Sequence, residues 1–443
     1  MKIAFIVGDF PVVSETFILN QITGLIARGH QVDIYGHPPE ENYKLHPDVE
    51  KYHLLDHTYY PPKIPRNYLG RVFKGIGLIL HNFPKAPGIV LRSLNIFKYA
   101  KTAASLRLLY SVMRLLEAPT YDIIHCQFGI LGLEGIIWRE IGAIKGKLIT
   151  TFRGYDISWF VQQHGEHIYD ALFAQGDFFL ANCEYFQEKA IKLGCDPKKL
   201  VVHGSGIDSN LFPFKIRKPD INGKIRIATT GRLVEKKGIS YAIHAVAKVA
   251  QFYPNIEYNI IGDGWLKSEL QQLIDSLNLT EQVQLLGWKT QPEIVEIINK
   301  SDIFIAPSVT GTDGNQDAPV NTLKEAMIMG LPVIATLHGG IPELVEDGVS
   351  GFLVPERDSN AIASKLNYLI EHPELWSTMG QAGRAYVESH YDLNQLNDKL
   401  VEIYRRVIMK NPQLQQFTSI KTSSTTDVEA LADLLISIAK IYK

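Results

Sequence analysis

Four charged side chains in two short stretches have the types and spacing to hold a phosphorylated, hydroxylated ligand. In GRLVEKKG (Gly231 to Gly238), Arg232 and Lys237 stand in a turn between a strand pattern and a helix pattern. There, both cations and free backbone N–H groups can converge on an anion. In DAPVNTLKEAMIMG (Asp317 to Gly330), one carboxylate precedes a proline turn, and Glu325 follows eight positions later in an apolar helix pattern. Two cations match a diphosphate, and two separated carboxylates match the hydroxyls of a sugar and a ribose. The combination points to a nucleotide sugar. The plainer alternative makes the cations solvated, Asp317 a helix cap and Glu325 a surface residue. Position at the carboxyl end of a strand favours the ligand reading, because open α/β sheets bind ligands there.

If all eight steps from Asp317 to Glu325 were helical, the carboxylates would lie roughly 12 Å apart. That is too far for one metal ion and suits the two ends of an extended ligand. Pro319 predicts a helix beginning near Asp317, with the free N–H groups of its first turn facing the pyrophosphate. Ala326, Met327 and Met329 read as core.

The elements that must position these residues alternate between short apolar runs and helical periodicity, the pattern of parallel sheets covered on both faces. Lys2–Val7, Val32–Tyr35, Ile123–Cys126, Lys147–Thr151, Phe178–Asn182 and Leu200–Val202 read as strands. Ser14 is placed as the N-cap of the first helix, and Gly29 closes it. The rhythm breaks at Asp208–Gly223 and restarts with IRIATTGRL, YNIIGDG, VQLLGW, IFIAPS, PVIAT and GFLV. The expected fold is α/β, with two doubly wound Rossmann-like domains facing a cleft. The expected boundaries are 1–208, a linker at 209–223, a donor-side domain at 224–385, and helices at 386–410 crossing back to the first domain. A tail at 411–443 carries an amphipathic helix pattern without a readable role.

A chain of 443 residues is too long for one ordinary core. A formal charge of −2 argues against a dedicated nucleic-acid binder. Cys126, Cys183 and Cys195 are far apart, so neither a disulfide framework nor a thiolate zinc site is expected, which fits a reducing cytoplasm. The start, MKIAFIVGDF, lacks the form of a signal peptide, and nothing later approaches the roughly 18 apolar residues of a membrane span. From His57 to Leu116, however, ten lysines and arginines occur without one acidic residue, interleaved with Tyr59, Tyr60, Tyr68, Phe73, Phe83, Phe97, Tyr99 and Tyr110. Basic amphipathic helices of this kind lie at anionic lipid surfaces, so a peripheral position at the inner membrane face is expected.

Three strand ends in the first half could complete a site. The loop Gly8–Thr16 precedes a helix N-terminus, an anion site by geometry, although Ser14, Glu15 and Thr16 also read as a simple capping run. HCQFG supplies His125, read as a packed residue, and Gln127, which donates a hydrogen bond but takes no proton at neutral pH. In TFRGYDIS, Arg153 and Asp156 either pair with each other or face the second substrate, where an arginine would suit an anionic group such as a lipid diphosphate.

GRLVEKKG, IIGDGW, LLGW, IFIAPS, the Asp317-to-Glu325 spacing, GLPVIAT and GGIPELVEDGVSGFLV, in that order, resemble the donor half of retaining GT-B glycosyltransferases of family four. FPVVSETFILNQITGL and IHCQFG resemble the branch acting on colanic acid and other exopolysaccharides, and the likeness covers roughly residues 1 to 408. It implies transfer of a hexosyl unit from a UDP- or GDP-sugar to a glycan, on a lipid carrier such as polyprenyl diphosphate. Arg232 and Lys237 would hold the diphosphate, and Glu325 would accept from the ribose hydroxyls. Asp317 stands where the family's Glu-(seven residues)-Glu pattern has its first glutamate, which meets the sugar; here it is one methylene shorter. Gly287 and Trp288 would meet the base, the Gly262–Gly264 turn would line the same pocket, and Ala318, Val320 and Asn321 would complete the donor side. Ser14, Glu15, Thr16, Gln127, Arg153 and Asp156 would form the acceptor side, with Glu15 placed to orient an acceptor hydroxyl. The implied reaction retains configuration and needs no cofactor or metal beyond the donor. Relatives often carry a second histidine where Gln127 stands, and a histidine where Arg153 stands. Two other readings use the same donor pocket: a sugar-nucleotide epimerase, which needs a base in the first domain, and a non-catalytic nucleotide-sugar-binding protein.

Overall fold

The computed structural model describes residues 1–12, 15–39 and 45–409. Strands β1 (Lys2–Asp9), β2 (Gln31–His37), β3 (Thr58–Tyr59), β4 (Thr120–Cys126), β5 (Lys145–Phe152), β6 (Phe178–Ala181) and β7 (Leu200–Val202) form one sheet. Its order is β3-β2-β1-β4-β5-β6-β7. Strands β8 (Ile225–Thr230), β9 (Ile256–Ile261), β10 (Val283–Gly287), β11 (Ile303–Ala306), β12 (Val333–Thr336) and β13 (Gly351–Val354) form a second sheet, ordered β10-β9-β8-β11-β12-β13. The strand pairs in both sheets are parallel. Both orders reverse direction once, between β1 and β4 and between β8 and β11, and a ligand crevice opens at such a reversal. The expected fold class is therefore the observed one. The edge strand β3 escaped the sequence pattern because two residues carry no periodicity.

The centres of both sheets are dry. β1 buries Ile3 through Val7, β4 buries Ile123 and Ile124, and β11 buries Ile303, Phe304 and Ile305. The connection from β7 to β8 is pinned to the second domain through Arg217, which is 2% exposed and donates to the carbonyls of Ser301 (2.9 Å) and Met329 (2.8 Å).

The last described helix, Leu393–Met409, returns to the first domain and adds Leu400, Val401, Ile403, Tyr404 and Val407 to its core. A fully buried large apolar side chain contributes about 1.5–3 kcal/mol. These five outweigh the exposed Arg28–Asp398 ion pair on the same interface (2.6 Å), a type that adds about 0–1 kcal/mol. Residues 411–443 lie outside the described residues.

The basic segment folds as the helices Tyr68–Asn82, Pro87–Ser93, Ile96–Ala104 and Arg107–Val112. The last contributes Leu108, Leu109 and Val112 to the core. The first presents Leu69, Phe73, Ile76 and Leu80 to solvent at helical spacing. Among the described residues, no helix is long and apolar enough to cross a membrane.

Candidate active site

The second-domain half is built on the loop leaving β8. This loop is zipped to its neighbours by backbone hydrogen bonds: Gly231 N–H to Ile261 O (2.9 Å), Leu233 N–H to Asp263 O (2.9 Å), and Gly262 N–H to Gly287 O (2.9 Å). The approach is possible only without side chains. A Cβ at Gly262, where φ is +144°, would lie 1.9 Å from Gly231 O, and one at Gly264 would lie 2.4 Å from Leu233 O. The Gly262–Gly264 turn thus holds Arg232 at the crest of the loop. Arg232 is exposed, and its guanidinium makes no hydrogen bond among the described residues. It lies within electrostatic reach of Lys237 and, across the cleft, of Glu15. Trp288 follows β10 and is 46% exposed on the same end of the sheet.

Asp317 is 7% exposed and tied down on every side. Its carboxylate accepts from Lys237 Nζ (2.7 Å), Lys236 Nζ (3.0 Å) and Ser308 Oγ (3.2 Å). Burial opposes its ionisation, but Lys237 and Lys236 outweigh that and hold the carboxyl well below the usual range. The helix expected to begin near Asp317 instead runs Asn321–Ile328, with Val320 as its N-cap. Two causes act together. Pro319 disfavours helical backbone at Ala318, and the Asp317 N–H is bound by His338 Nε2 at 2.9 Å. The first-turn N–H groups therefore belong to the helix starting at Asn321, beyond Asp317, Ala318 and Pro319.

His338 was missed by sequence reasoning, although it stands at the end of β12, directly before GGIPELVEDG. It is fully buried, and its Nδ1 bonds Glu356 Oε1 at 2.6 Å. Because Nε2 accepts the Asp317 N–H, the proton must sit on Nδ1 and be donated to Glu356. Glu356 also accepts from the Thr310 N–H (2.7 Å), so this pair clamps both ends of the Thr310–Asp317 loop. Burial, opposed by the Glu356 hydrogen bond, keeps the His338 pKa below its ordinary 6.5. A lowered folded pKa gives stability that is present above 6.5 and lost as pH falls through the folded value. His338→Ala should cost about 1–3 kcal/mol by orphaning the Asp317 N–H. It should also remove part of the acid limb of the stability profile. Thermal melts between pH 5 and 8 test both, and parallel pH profiles for variant and wild type would refute the role.

Glu325, half-buried on the Asn321–Ile328 helix, is pushed up to about 7 by burial against the opposing pull of Lys324. Lys324 is the second residue that sequence reasoning missed. It is 1% exposed, donates to Ser205 O at 2.9 Å and lies 4.1 Å from the centre of the Tyr391 ring. Burial lowers its pKa to about 7. Asn321 Oδ1 lies 3.4 Å from Lys324 Nζ, Ala318 packs on the first-domain core, and Val320 packs on that of the second.

On the first-domain side, Glu15 precedes the helix Thr16–Ala27 without forming a side-chain cap; Ser14 lies outside the described residues. Burial, modulated by Arg153, Asp9 and Arg232, raises Glu15 to about 7. Arg153 is 7% exposed, and its guanidinium donates to Gln127 Oε1, Gln21 Oε1 (3.3 Å) and Ser205 Oγ (3.3 Å) and lies 4.4 Å from the centre of the Phe17 ring. Two expectations change here. Gln127 is fully buried and orients Arg153, so it offers nothing to an open cleft. Asp156 is fully buried and accepts the N–H groups of Gly129 (2.8 Å), Arg153 (3.0 Å) and Gly154 (2.9 Å). It ties the β4 and β5 loops together instead of facing a substrate, because three backbone donors satisfy a carboxylate that water cannot reach. His125 is packed, as expected, with Nδ1 on Tyr404 OH (2.6 Å) and Nε2 on Thr151 Oγ1 (2.7 Å).

The two halves meet. Gln316 N–H donates to Ser158 Oγ (3.2 Å), Tyr185 OH donates to Gln316 Oε1 (3.0 Å), and the Glu343 carboxylate accepts the N–H groups of Glu184 and Tyr185 (2.7 Å each). The cleft between the switch points of the two sheets is thus flanked by Arg232, Lys237 and Asp317 on one side and by Glu15 and Arg153 on the other.

This architecture has relatives. A sequence profile described as Glycosyltransferase Family 4 matches residues 14–211, and one described as Glycosyl transferases group 1 matches residues 212–386. An amylovoran biosynthesis glycosyltransferase of Erwinia amylovora is 35% identical over 92% of this chain and 100% of its own length. The chain belongs to the GT-B glycosyltransferases of family four. A Salmonella typhimurium glycosyltransferase named, provisionally, for colanic acid biosynthesis is 32% identical to this glycosyltransferase over 92% of the chain and 100% of that relative. Among solved structures, the Anabaena HepE protein in complex with UDP matches its fold with a TM-score of 0.66 over 92% of this chain and 100% of that one, at 18% identity.

Proposed function

We propose that this glycosyltransferase moves a hexosyl unit from a UDP- or GDP-sugar to a lipid-linked glycan during exopolysaccharide synthesis, with retention of configuration. The observation that carries the reading is the set of cations at the end of β8. Lys237 and Lys236 are oriented by Asp317, and Arg232 stands on the same loop within electrostatic reach of Glu15. Fixed cations aimed at a diphosphate stabilise the charge that develops as the glycosidic bond breaks. They supply this without a metal ion.

With two lysines and Ser308 on its carboxylate, Asp317 is assigned to orienting Lys237 against the leaving group, and the hexose contact lies beside it. Glu325 accepts from the ribose hydroxyls. Glu15 faces the acceptor and orients its hydroxyl, while Arg153, 7% exposed and bonded to Gln127, Gln21 and Ser205, acts as a buried positive charge that favours an anionic carrier. A lipid-linked acceptor is supported by an Escherichia coli relative, 26% identical over 67% of this chain, whose name gives it a diphosphoundecaprenol-linked acceptor. A uridine donor is supported by the HepE complexes with UDP and UDP-glucose. A thermal-shift panel of UDP-, GDP- and ADP-sugars, followed by transfer assays on a lipid-linked glycan with the best donor, tests the reading. Absence of stabilisation by every donor would sink it.

The proposal places the enzyme at the membrane through the helix Tyr68–Asn82. Phe73 is 75% exposed and Leu80 is 71% exposed, on one face of a segment with basic flanks. Inserting both into lipid gains about 1.5–3 kcal/mol each. The double variant Phe73→Glu and Leu80→Glu should stay folded and lose at least tenfold in co-sedimentation with anionic vesicles. Unchanged sedimentation would remove the membrane assignment.

A further inference from the structure

A second cavity, of about 270 Å³, opens at the β2–β3 edge of the first sheet, lined by Tyr35, Tyr59, Asn82, Lys85, Arg114 and Glu117 among others. None of these residues belongs to the cleft described above. Its floor is aromatic and fixed. The Tyr35 and Tyr59 rings stack at 5.1 Å with 21° between their planes. Tyr35 is buried beneath and locked through its hydroxyl to Tyr121 (2.8 Å), which donates in turn to Asp33 (2.7 Å). Tyr59 is 40% exposed. Arg114 donates to the carbonyls of Gly36 and Tyr59 and lies over the Trp138 ring at 5.0 Å, which fixes the ends of β2 and β3.

The rim is polar, and although Lys85 and Arg114 outnumber Glu117, both cations are already engaged. Lys85 pairs with Glu117 at 2.7 Å, and Arg114 is directed onto backbone carbonyls and an indole. The amide nitrogen of Asn82 donates to Leu78 O (2.8 Å), which leaves its oxygen to accept. Donors and acceptors of both kinds therefore ring an aromatic surface. A phosphate or other anion would meet Glu117 and find both cations already engaged. A pyranose ring fits the arrangement, because its C–H face packs on an aromatic ring while each hydroxyl both donates and accepts. The cavity volume of about 270 Å³ accommodates a single ring.

We infer that this pocket is a saccharide-binding site separate from the donor cleft, taking a neutral hexopyranose unit on Tyr59. The site gives the first domain a second hold on a glycan, at the end of the helix Tyr68–Asn82.

The test uses the full chain and methyl glucopyranoside, galactopyranoside and mannopyranoside, followed by saturation-transfer-difference NMR. At least one glycoside should give a signal that survives in Lys237→Ala, falls at least fivefold in Tyr59→Ala and Glu117→Gln, and persists in Tyr59→Phe, which keeps the ring. Both disabling changes are at exposed positions, and near-UV circular dichroism checks their fold. Inorganic phosphate at 10 mM should not displace the sugar. A signal independent of Tyr59, displacement by phosphate, or no signal from any glycoside overturns the site. Loss in Lys237→Ala but not in Tyr59→Ala would assign the sugar to the donor cleft and overturn it equally.

Discussion

Lys237→Ala is expected to reduce transfer by roughly 10²–10³-fold, the loss typical of removing one fixed group that stabilises developing negative charge. The fold should survive. Asp317 retains Lys236 at 3.0 Å and Ser308 at 3.2 Å, so the carboxylate does not become an unpaired buried charge. The loss should fall mainly on kcat, because charge on the leaving diphosphate grows toward the transition state. Lys237→Arg should recover little, since a planar guanidinium does not reproduce an ammonium seated 2.7 Å from Asp317. Initial rates with a saturating donor, paired with a thermal melt, check this result. A folded variant with full activity would show that the cation has been misassigned.

Glu325→Ala should weaken nucleotide binding by about two orders of magnitude. A carboxylate accepting from two ribose hydroxyls makes charge-assisted bonds of about 1.5–3 kcal/mol each, part of which solvent returns. Burial holds this carboxyl near 7, so nucleotide affinity in the wild type should fall as pH drops below that value and the acceptor takes a proton. The stability sign is opposite. A carboxyl whose folded pKa is raised from 4.5 to about 7 gives stability that is fully present below 4.5 and lost as pH rises through 7. Glu325→Ala should therefore flatten the stability profile in that window while lowering affinity throughout. Calorimetric titration of UDP and GDP from pH 6 to 8 separates the two effects. An affinity that neither falls in the variant nor varies with pH would remove the ribose assignment. Lys324, one residue earlier and also near 7, titrates in the same window and pulls the Glu325 carboxyl down, so Lys324→Met should move the pH dependence of affinity to higher pH without abolishing it.

Much of this molecule was legible before any coordinates. Alternation of short apolar runs with helical periods determined two parallel sheets, because a strand covered on both faces must be apolar along its whole length. Arg232 and Lys237 could be placed at a strand's end, and the final helix could be turned back onto the first domain, since local pattern and chain order suffice for both. The start of the Asn321–Ile328 helix could not be read, because the backbone of Asp317 is committed to His338, 21 residues away. Nothing in the local sequence singles out Lys324, and only the approach of Ser205 and Tyr391 makes it a buried cation. Gln127 and Asp156 stood at strand ends where ligands bind, yet neighbouring loops close over them and turn both toward holding the site together. The amino-acid order by itself determined which residues stand at strand ends beside the cleft. Which of them face a ligand and which face the protein was decided by tertiary packing, because hydrogen-bond partners far apart in the chain meet only when the loops fold together.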